Sequence, residues 1–378
     1  MLCEVEAMTL RIKDVQETVH KVTGQLLDLK RPENESELEG IGDGAKIGYF
    51  PRDFGMEEWD WPQGVGLFGL KSLSGQDGFP DYHTFLKEWA EDQRERGLPL
   101  KNINTTAPLL TLMDVEGTEQ LALEWADWIM EKAPRTERGG LQHVTSGATK
   151  NDLTMNDGQV WIDTLFMVVL FLGKMGVRYD RKEWKEEAIR QFLLHIELLF
   201  SEGDGLFYHG FDFNGHHRFS EAYWCRGNSW FTLAAPEFLA MMEGQLDDGT
   251  YNTILNTYKA QVDTLVELQA QDGLWHTLLD DEDSYTEVSG SSSIAAGILK
   301  GIRYGLLDGS YLDVCRRAVD SILQEVDDDG TVLKVSAGTA IGASKEDYKN
   351  IIIAPTAYGQ ALAIVLFSEV LQHEKLVA

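Results

Sequence analysis

The chain has 378 residues, of which 43% are hydrophobic, so it can bury a large core; length alone softly suggests about two or three domains, although long barrels also run as one. The net charge of −29, from 33 basic and 62 acidic residues, argues against nucleic acid and anionic membrane as partners, and it leaves any acidic ligand to be received by local basic groups. Cys3, Cys225 and Cys315 are too few and too widely spaced for a disulfide framework or a zinc site, no basic-then-apolar leader opens the chain, and no apolar run is long enough to span a bilayer, so a cytosolic protein is the simplest reading.

Hydrophobic periodicity is helical nearly throughout and predicts about twelve helical stretches. They lie near 8–27, 61–75, 80–96, 104–115, 118–132, 158–176, 181–200, 227–242, 248–270, 286–305, 310–326 and 355–374. Short β pieces are expected only at 206–208 and 331–335. Helices in antiparallel pairs predict an all-α fold, an (α/α)6 barrel of six helical hairpins, with residues 1–378 as one domain. An α-solenoid would show repeats of fixed period, and none is visible. Long segments near 28–60, 133–157, 201–226 and 327–354 are where such a scaffold carries a site.

Taken in chain order, the first candidate cluster is Trp59-Asp60-Trp61-Pro62-Gln63, where Pro62 suits a first helical turn and puts Trp61 and Gln63 at a helix mouth. In Leu100-Lys101-Asn102-Ile103-Asn104-Thr105, Asn104 or Thr105 reads as an N-cap. His143 closes a Gly-Gly turn, Gly139-Gly140-Leu141-Gln142-His143. Asp163 is the only charge between Gln159 and Leu172, a stretch that begins Gln159-Val160-Trp161. Burial disfavours an ionised carboxylate, so its pKa is expected to rise, as a general acid requires; the alternative is a buried carboxyl that braces a helix.

Next come Tyr208-His209-Gly210-Phe211-Asp212 and Trp224-Cys225-Arg226-Gly227-Asn228-Ser229-Trp230. Arg226 can hold a carboxylate in a bidentate fork, Gly227 permits close backbone approach, and Trp224 and Trp230 can wall a cleft if a helix starts between them. The alternative is that both tryptophans are core and that Arg226 pairs with an acidic neighbour. Trp275 and His276 are offered as a subsite lining ahead of the small-residue run Ser289-Gly290-Ser291-Ser292-Ser293. Dinucleotide, phosphate-loop, nucleophile-elbow and zinc motifs are absent from the sequence, so neither cofactor nor metal is expected.

Together these motifs resemble the unsaturated glycuronyl hydrolases of glycoside hydrolase family 105, related to family 88. The matching pieces are residues 134–143, 160–167, 208–212, 224–230 and 273–276 with the serine run, and the resemblance extends from roughly residue 45 onward. It implies an (α/α)6 barrel acting on a lyase-generated oligosaccharide whose non-reducing end is a C4=C5 unsaturated uronic acid. It also implies hydration of that vinyl ether with Asp163 as general acid/base. Binding positions implied by the resemblance are His143, His209, Trp224, Arg226 and Trp230, with Trp61 and Gln63 at the early helix and Trp161 beside Asp163. Many members carry an Asp where Lys101 or Asn102 stands here, and Asn104 is the residue offered in its place. No obligate protein partner is implied. Competing readings are an inverting glycosidase or epimerase using Asp212 or Glu287 as a second carboxyl, and a non-catalytic sugar-binding scaffold.

Overall fold

A computed structural model describes residues 11–30, 54–147, 149–373 and 376. The predicted start of the first helix at 8–10, and residues 31–53 of the first long segment, lie outside them.

Helices alternate between two kinds. One kind buries a single stripe: α1 (Ile12–Asp28), α3 (His83–Glu95), α6 (Glu119–Glu131), α8 (Lys182–Leu199), α10 (Asp248–Glu267) and α12 (Leu312–Gln324). In α12 the buried residues are Leu312, Val314, Cys315, Ala318, Val319 and Ile322, the spacing of one helical face. The other kind is buried nearly all round: α2 (Trp61–Leu73), the short pair α4 (Ile103–Thr106) and α5 (Leu109–Leu112), α7 (Leu170–Arg178), α9 (Cys225–Met241), α11 (Val288–Arg303) and α14 (Ala357–Val370). Every residue of α14 is buried. A helix without a polar face belongs in the middle of the molecule.

The second kind forms a closed inner ring. Helix α2 packs on α5, α5 on α7, α7 on α9, α9 on α11, α11 on α14, and α14 back on α2. The striped helices lie outside, each against an inner one. The closing joint is hydrogen-bonded as well as packed, for Gln76 of the α2 end reaches Ser368 of α14 at 2.6 Å, and Gln360 of α14 reaches Val22 O of α1 at 3.2 Å. This is the expected (α/α)6 barrel, the fold of the structural neighbours described below.

Two local expectations change. The stretch 158–176 is not one helix. It opens as strand β3 (Gln159–Trp161), turns at Ile162–Asp163, passes through a π-helical turn Leu165–Val169, and only then becomes α7. Strand β3 pairs antiparallel with β6 (Gly210–Asp212), Trp161 facing Gly210. Residues 331–335 form no strand, only an isolated bridge from Val332 to Val326. Among the described residues no helix is long and apolar enough to cross a membrane.

At one end of the ring an ionic cluster ties three inner helices together. Lys300 of α11 lies 2.6 Å from Glu237 of α9 and 2.9 Å from Glu369 of α14, and Arg303 grips the same Glu369 at 2.8 Å. Lys300 and Arg303 sit in the last turn of α11, where a cation is favoured by the helix dipole.

Candidate active site

The site is at the other end, where the inner helices begin. Asp163 stands in the turn before the π-helical segment, and its carbonyl accepts the Phe166 and Met167 amides at 3.1 and 2.9 Å. π turns are rare and are frequent at functional positions. The β3–β6 ladder brings its neighbour: Ile162 N donates to His209 O at 3.0 Å, and His209 Nε2 then lies 3.5 Å from Asp163 Oδ2. The glycine at 227 makes room for this turn, because a Cβ there would come within 3.2 Å of Ile162 Cγ2 and 2.9 Å of Trp224.

An aromatic wall surrounds the pair. His143 stacks flat on Trp161, with centroids 3.9 Å apart and planes 7° apart. Trp161 meets His209 edge-on at 5.2 Å, and Trp224 leans over His209 at 4.4 Å. The Arg226 guanidinium lies 4.6 Å from the Trp224 ring and 5.0 Å from Tyr358. Tyr358 contacts Trp61, which meets Trp230 edge-on at 6.3 Å. So Asp163, His143, His209, Trp161, Trp224, Arg226, Trp61 and Trp230 form one continuous cluster. Helix α9 starts between Trp224 and Trp230.

Other expected positions stand elsewhere or do other work. Gln63 is fully buried and completes a capping box with Asp60, accepting the Asp60 amide at 3.1 Å and donating to Gly55 O at 2.6 Å. Trp275 is core, its indole donating to Leu265 O at 2.7 Å. His276 donates its Nδ1–H to the Ser284 carbonyl. These three are held by their own backbone surroundings, not by the cluster. The N-cap of α4 is Asn102, not Asn104 or Thr105; its side chain accepts Thr105 N at 3.0 Å. Lys101 lies over Trp125. Asn104 is half-buried and makes no side-chain hydrogen bond among the described residues.

Arg226 also differs from the carboxylate clamp expected of it. It is fully buried, and both terminal nitrogens are committed to the chain: one to Ser289 Oγ, Ser336 O and Ser336 Oγ at 3.1, 2.8 and 2.6 Å, the other to Ala337 O and Thr339 Oγ1 at 2.7 and 3.0 Å. It fastens the 336–339 loop beside the site.

The Asp163 carboxylate keeps 15% exposure and Trp61 is half-buried, which opens an otherwise buried cluster to solvent. Burial pushes its pKa up, but the His209 and His143 imidazoles outweigh that, and it lies below the ordinary value. This reverses the expected rise, because the apolar run supplies the desolvation while the fold supplies hydrogen-bonding partners from distant segments. Burial lowers His209 as well, against the pull of Asp163. Without a ligand the pair is an ionised carboxylate beside a neutral imidazole.

Burial takes His143 down to about 3 and His195, buried nearby on α8, to about 4. An unfolded histidine titrates near 6.5, so below about that pH the unfolded chain takes up protons that the folded chain refuses. These two residues therefore stabilise the fold fully above about pH 6.5, and that contribution is lost as pH falls from there through about 4 for His195 and about 3 for His143. Urea midpoints are expected to drop on acidification over this window, and less steeply in His143→Gln. An unchanged slope in that variant would remove His143 from the account.

Sequence reasoning missed His195 and Tyr348. Tyr348 is buried against His209, its Oη 2.8 Å from Nδ1. It lies on α13 (Lys345–Lys349), whose charged sequence Lys345-Glu346-Asp347-Tyr348-Lys349 reads as a solvated surface. The one usable signal was the Ser344/Asp347 capping box that starts this helix.

The model of Glycosyl Hydrolase Family 88 matches residues 49–374. The chain belongs to that family. It is accordingly a glycoside hydrolase. Among curated relatives, the unsaturated rhamnogalacturonyl hydrolase YesR of Bacillus subtilis (strain 168) is 35% identical over 332 residues, covering 86% of this chain and 93% of that one. An unsaturated 3S-rhamnoglycuronyl hydrolase of Alteromonas sp. (strain LOR) is 29% identical, covering 83% and 78%. Among solved structures, a possible member of the GH105 family from Salmonella enterica serovar Paratyphi A superposes with a TM-score of 0.85 at 34% identity, covering 95% of this chain and 93% of that one. The hydrolase thus shares its fold with a possible GH105 member and most of its length in sequence with proteins named unsaturated rhamnogalacturonyl and rhamnoglycuronyl hydrolases.

Proposed function

We propose that this hydrolase removes a non-reducing terminal C4=C5 unsaturated uronic acid, galacturonyl or glucuronyl and linked to rhamnose, from lyase-generated oligosaccharides. The observation that carries the reading is the partly exposed carboxylate of Asp163, beside His209 and inside a wall of aromatic rings. The names of the relatives support the substrate class.

In this reading the anionic sugar enters where the inner helices begin, and the dipoles of those N-termini favour its carboxylate. Its negative charge beside Asp163 raises the pKa of that carboxyl, and expelled water raises it further, so Asp163 takes up a proton when substrate binds. Asp163 protonates C4 of the vinyl ether. Water adds to C5 and returns a proton to Asp163. The resulting hemiketal opens to a ketone, and the exposed hemiacetal at C1 releases the aglycone alcohol. One carboxyl that gives and regains a proton is enough, unlike the two that flank a conventional glycosidic bond.

Of the second carboxyls named for the two-carboxyl alternative, one is committed to the fold and the other has one oxygen engaged. Glu287 is buried and accepts Ser289 N, Ser289 Oγ and Gly290 N at 2.8, 2.6 and 2.6 Å as the cap of α11. Asp212 Oδ1 is occupied by the Asn214 and Gly215 amides at 2.8 and 3.3 Å. Two buried free thiols, Cys225 and Cys315, support a reducing, cytosolic setting as part of the proposal.

The test follows the ultraviolet absorbance of the conjugated uronate in lyase-generated unsaturated galacturonyl-rhamnose and glucuronyl-rhamnose oligosaccharides, with saturated controls. Loss of absorbance with release of the aglycone is expected, and the faster substrate sets the preference. Cleavage of the saturated control without loss of absorbance would overturn the reading.

A further inference from the structure

We infer that Tyr348 is a positioning residue that fixes the tautomer of His209. The inference rests on the proposed function of Asp163 and deepens it. The Tyr348 phenol oxygen accepts the Gly342 amide proton at 3.2 Å and lies 2.8 Å from His209 Nδ1. On its other side the same ring turns Nε2 toward Asp163 Oδ2 at 3.5 Å. A neutral imidazole carries one N–H. If that proton were on Nδ1, the Nε2 lone pair would face the carboxylate, and two acceptors would oppose each other in a buried space. With the phenol donating to Nδ1, the proton sits on Nε2 and points at Asp163. The chain of donors then runs in one direction: Gly342 N–H to Tyr348 Oη, Tyr348 O–H to His209 Nδ1, His209 Nε2–H to Asp163.

The phenol is held to this task. Its helix α13 is tied to the 280–281 turn by Lys345–Asp280 and Lys349–Asp281, both at 2.6 Å, and Tyr285 Oη donates to Tyr348 O at 3.2 Å. The His209 ring is packed between Trp161 and Trp224, so it cannot turn to find another partner. Tyr348 therefore selects the tautomer that stabilises ionised Asp163 after it has given its proton to C4 and while it waits to recover one from water.

Two measurements on Tyr348→Phe test this. The first is the imidazole nitrogen chemical shifts of His209, assigned by their loss in His209→Gln. Wild-type protein is expected to show a single Nε2–H tautomer, and the variant a mixture. The second is steady-state kinetics on the unsaturated oligosaccharide, where kcat is expected to fall about tenfold to a hundredfold, as for lost outer partners of an oriented imidazole, with KM little changed. Retention of the single Nε2–H tautomer, or of wild-type kcat, overturns the inference. Failure of wild-type protein to act on any unsaturated uronate would instead sink the proposed function, and the nitrogen shifts would still report the tautomer.

Discussion

Asp163→Asn is expected to lower kcat on the unsaturated substrate by roughly a hundredfold to ten-thousandfold, the range for removing a general acid/base. The substitution keeps shape and polarity. An Asn oxygen can still accept from His209 Nε2, so the β3–β6 register and the turn before α7 should hold. What is lost is the proton: an amide cannot give one to C4 or take one from water. Substrate binding should therefore persist, and calorimetry with the unsaturated oligosaccharide is expected to give a dissociation constant near that of the wild type. The split is diagnostic, because a residue that only braces the turn would lose stability and binding together. Turnover near the wild-type rate would remove Asp163 from the mechanism.

Glu369→Ala is expected to have the largest effect on stability, about 3–5 kcal/mol, the cost of stripping one partner from a buried ionic cluster. Glu369 is 1% exposed and receives Lys300 at 2.9 Å and Arg303 Nε and Nη2, each at 2.8 Å. Burial alone would push its carboxyl up, but the two cations hold it below the ordinary value. Its stabilising contribution is thus present above the unfolded pKa and fades as pH falls through the folded one. Truncation leaves Lys300, whose pKa is raised against burial by Glu237 and Glu369, with a single acidic partner. A chemical-denaturation midpoint within error of the wild type would contradict this role.

Much of this architecture could be read from sequence because inner and outer helices carry different patterns. The stripe of α12 and the apolar run Ala361–Phe367 of α14 are both visible in the residues. Asp163 was legible for the same reason: one charge in an apolar run has to be explained. The error at 158–176 came from that same run. Three residues of strand, a turn and a π segment are too short to impose a period of their own, so the apolar stretch reads as one helix. What sequence could not show is which distant groups share a proton. The register Trp161–Gly210 and the fold of the 336–348 segment decide that His209 meets Asp163 and that Tyr348 meets His209. Arg226 illustrates the same limit, since its residue type suits a carboxylate, and only the fold shows five oxygens of its own chain already around it. Gln63 looked like a pocket residue because helix mouths are where pockets lie, yet the mouth itself needs capping.

The closed ring also has a consequence for how the chain is made. Synthesis runs from the amino end, and the helix that joins α11 back to α2 is α14, residues 357–370, the last inner helix to emerge. Without it the apolar sides of α2 and α11 that it covers have no partner, and Val22 O of α1 lacks the Gln360 side chain that donates to it. Closing the ring therefore couples segments nearly three hundred residues apart, and the ring's integrity rests on α14 packing on α11, α2 and α1 together.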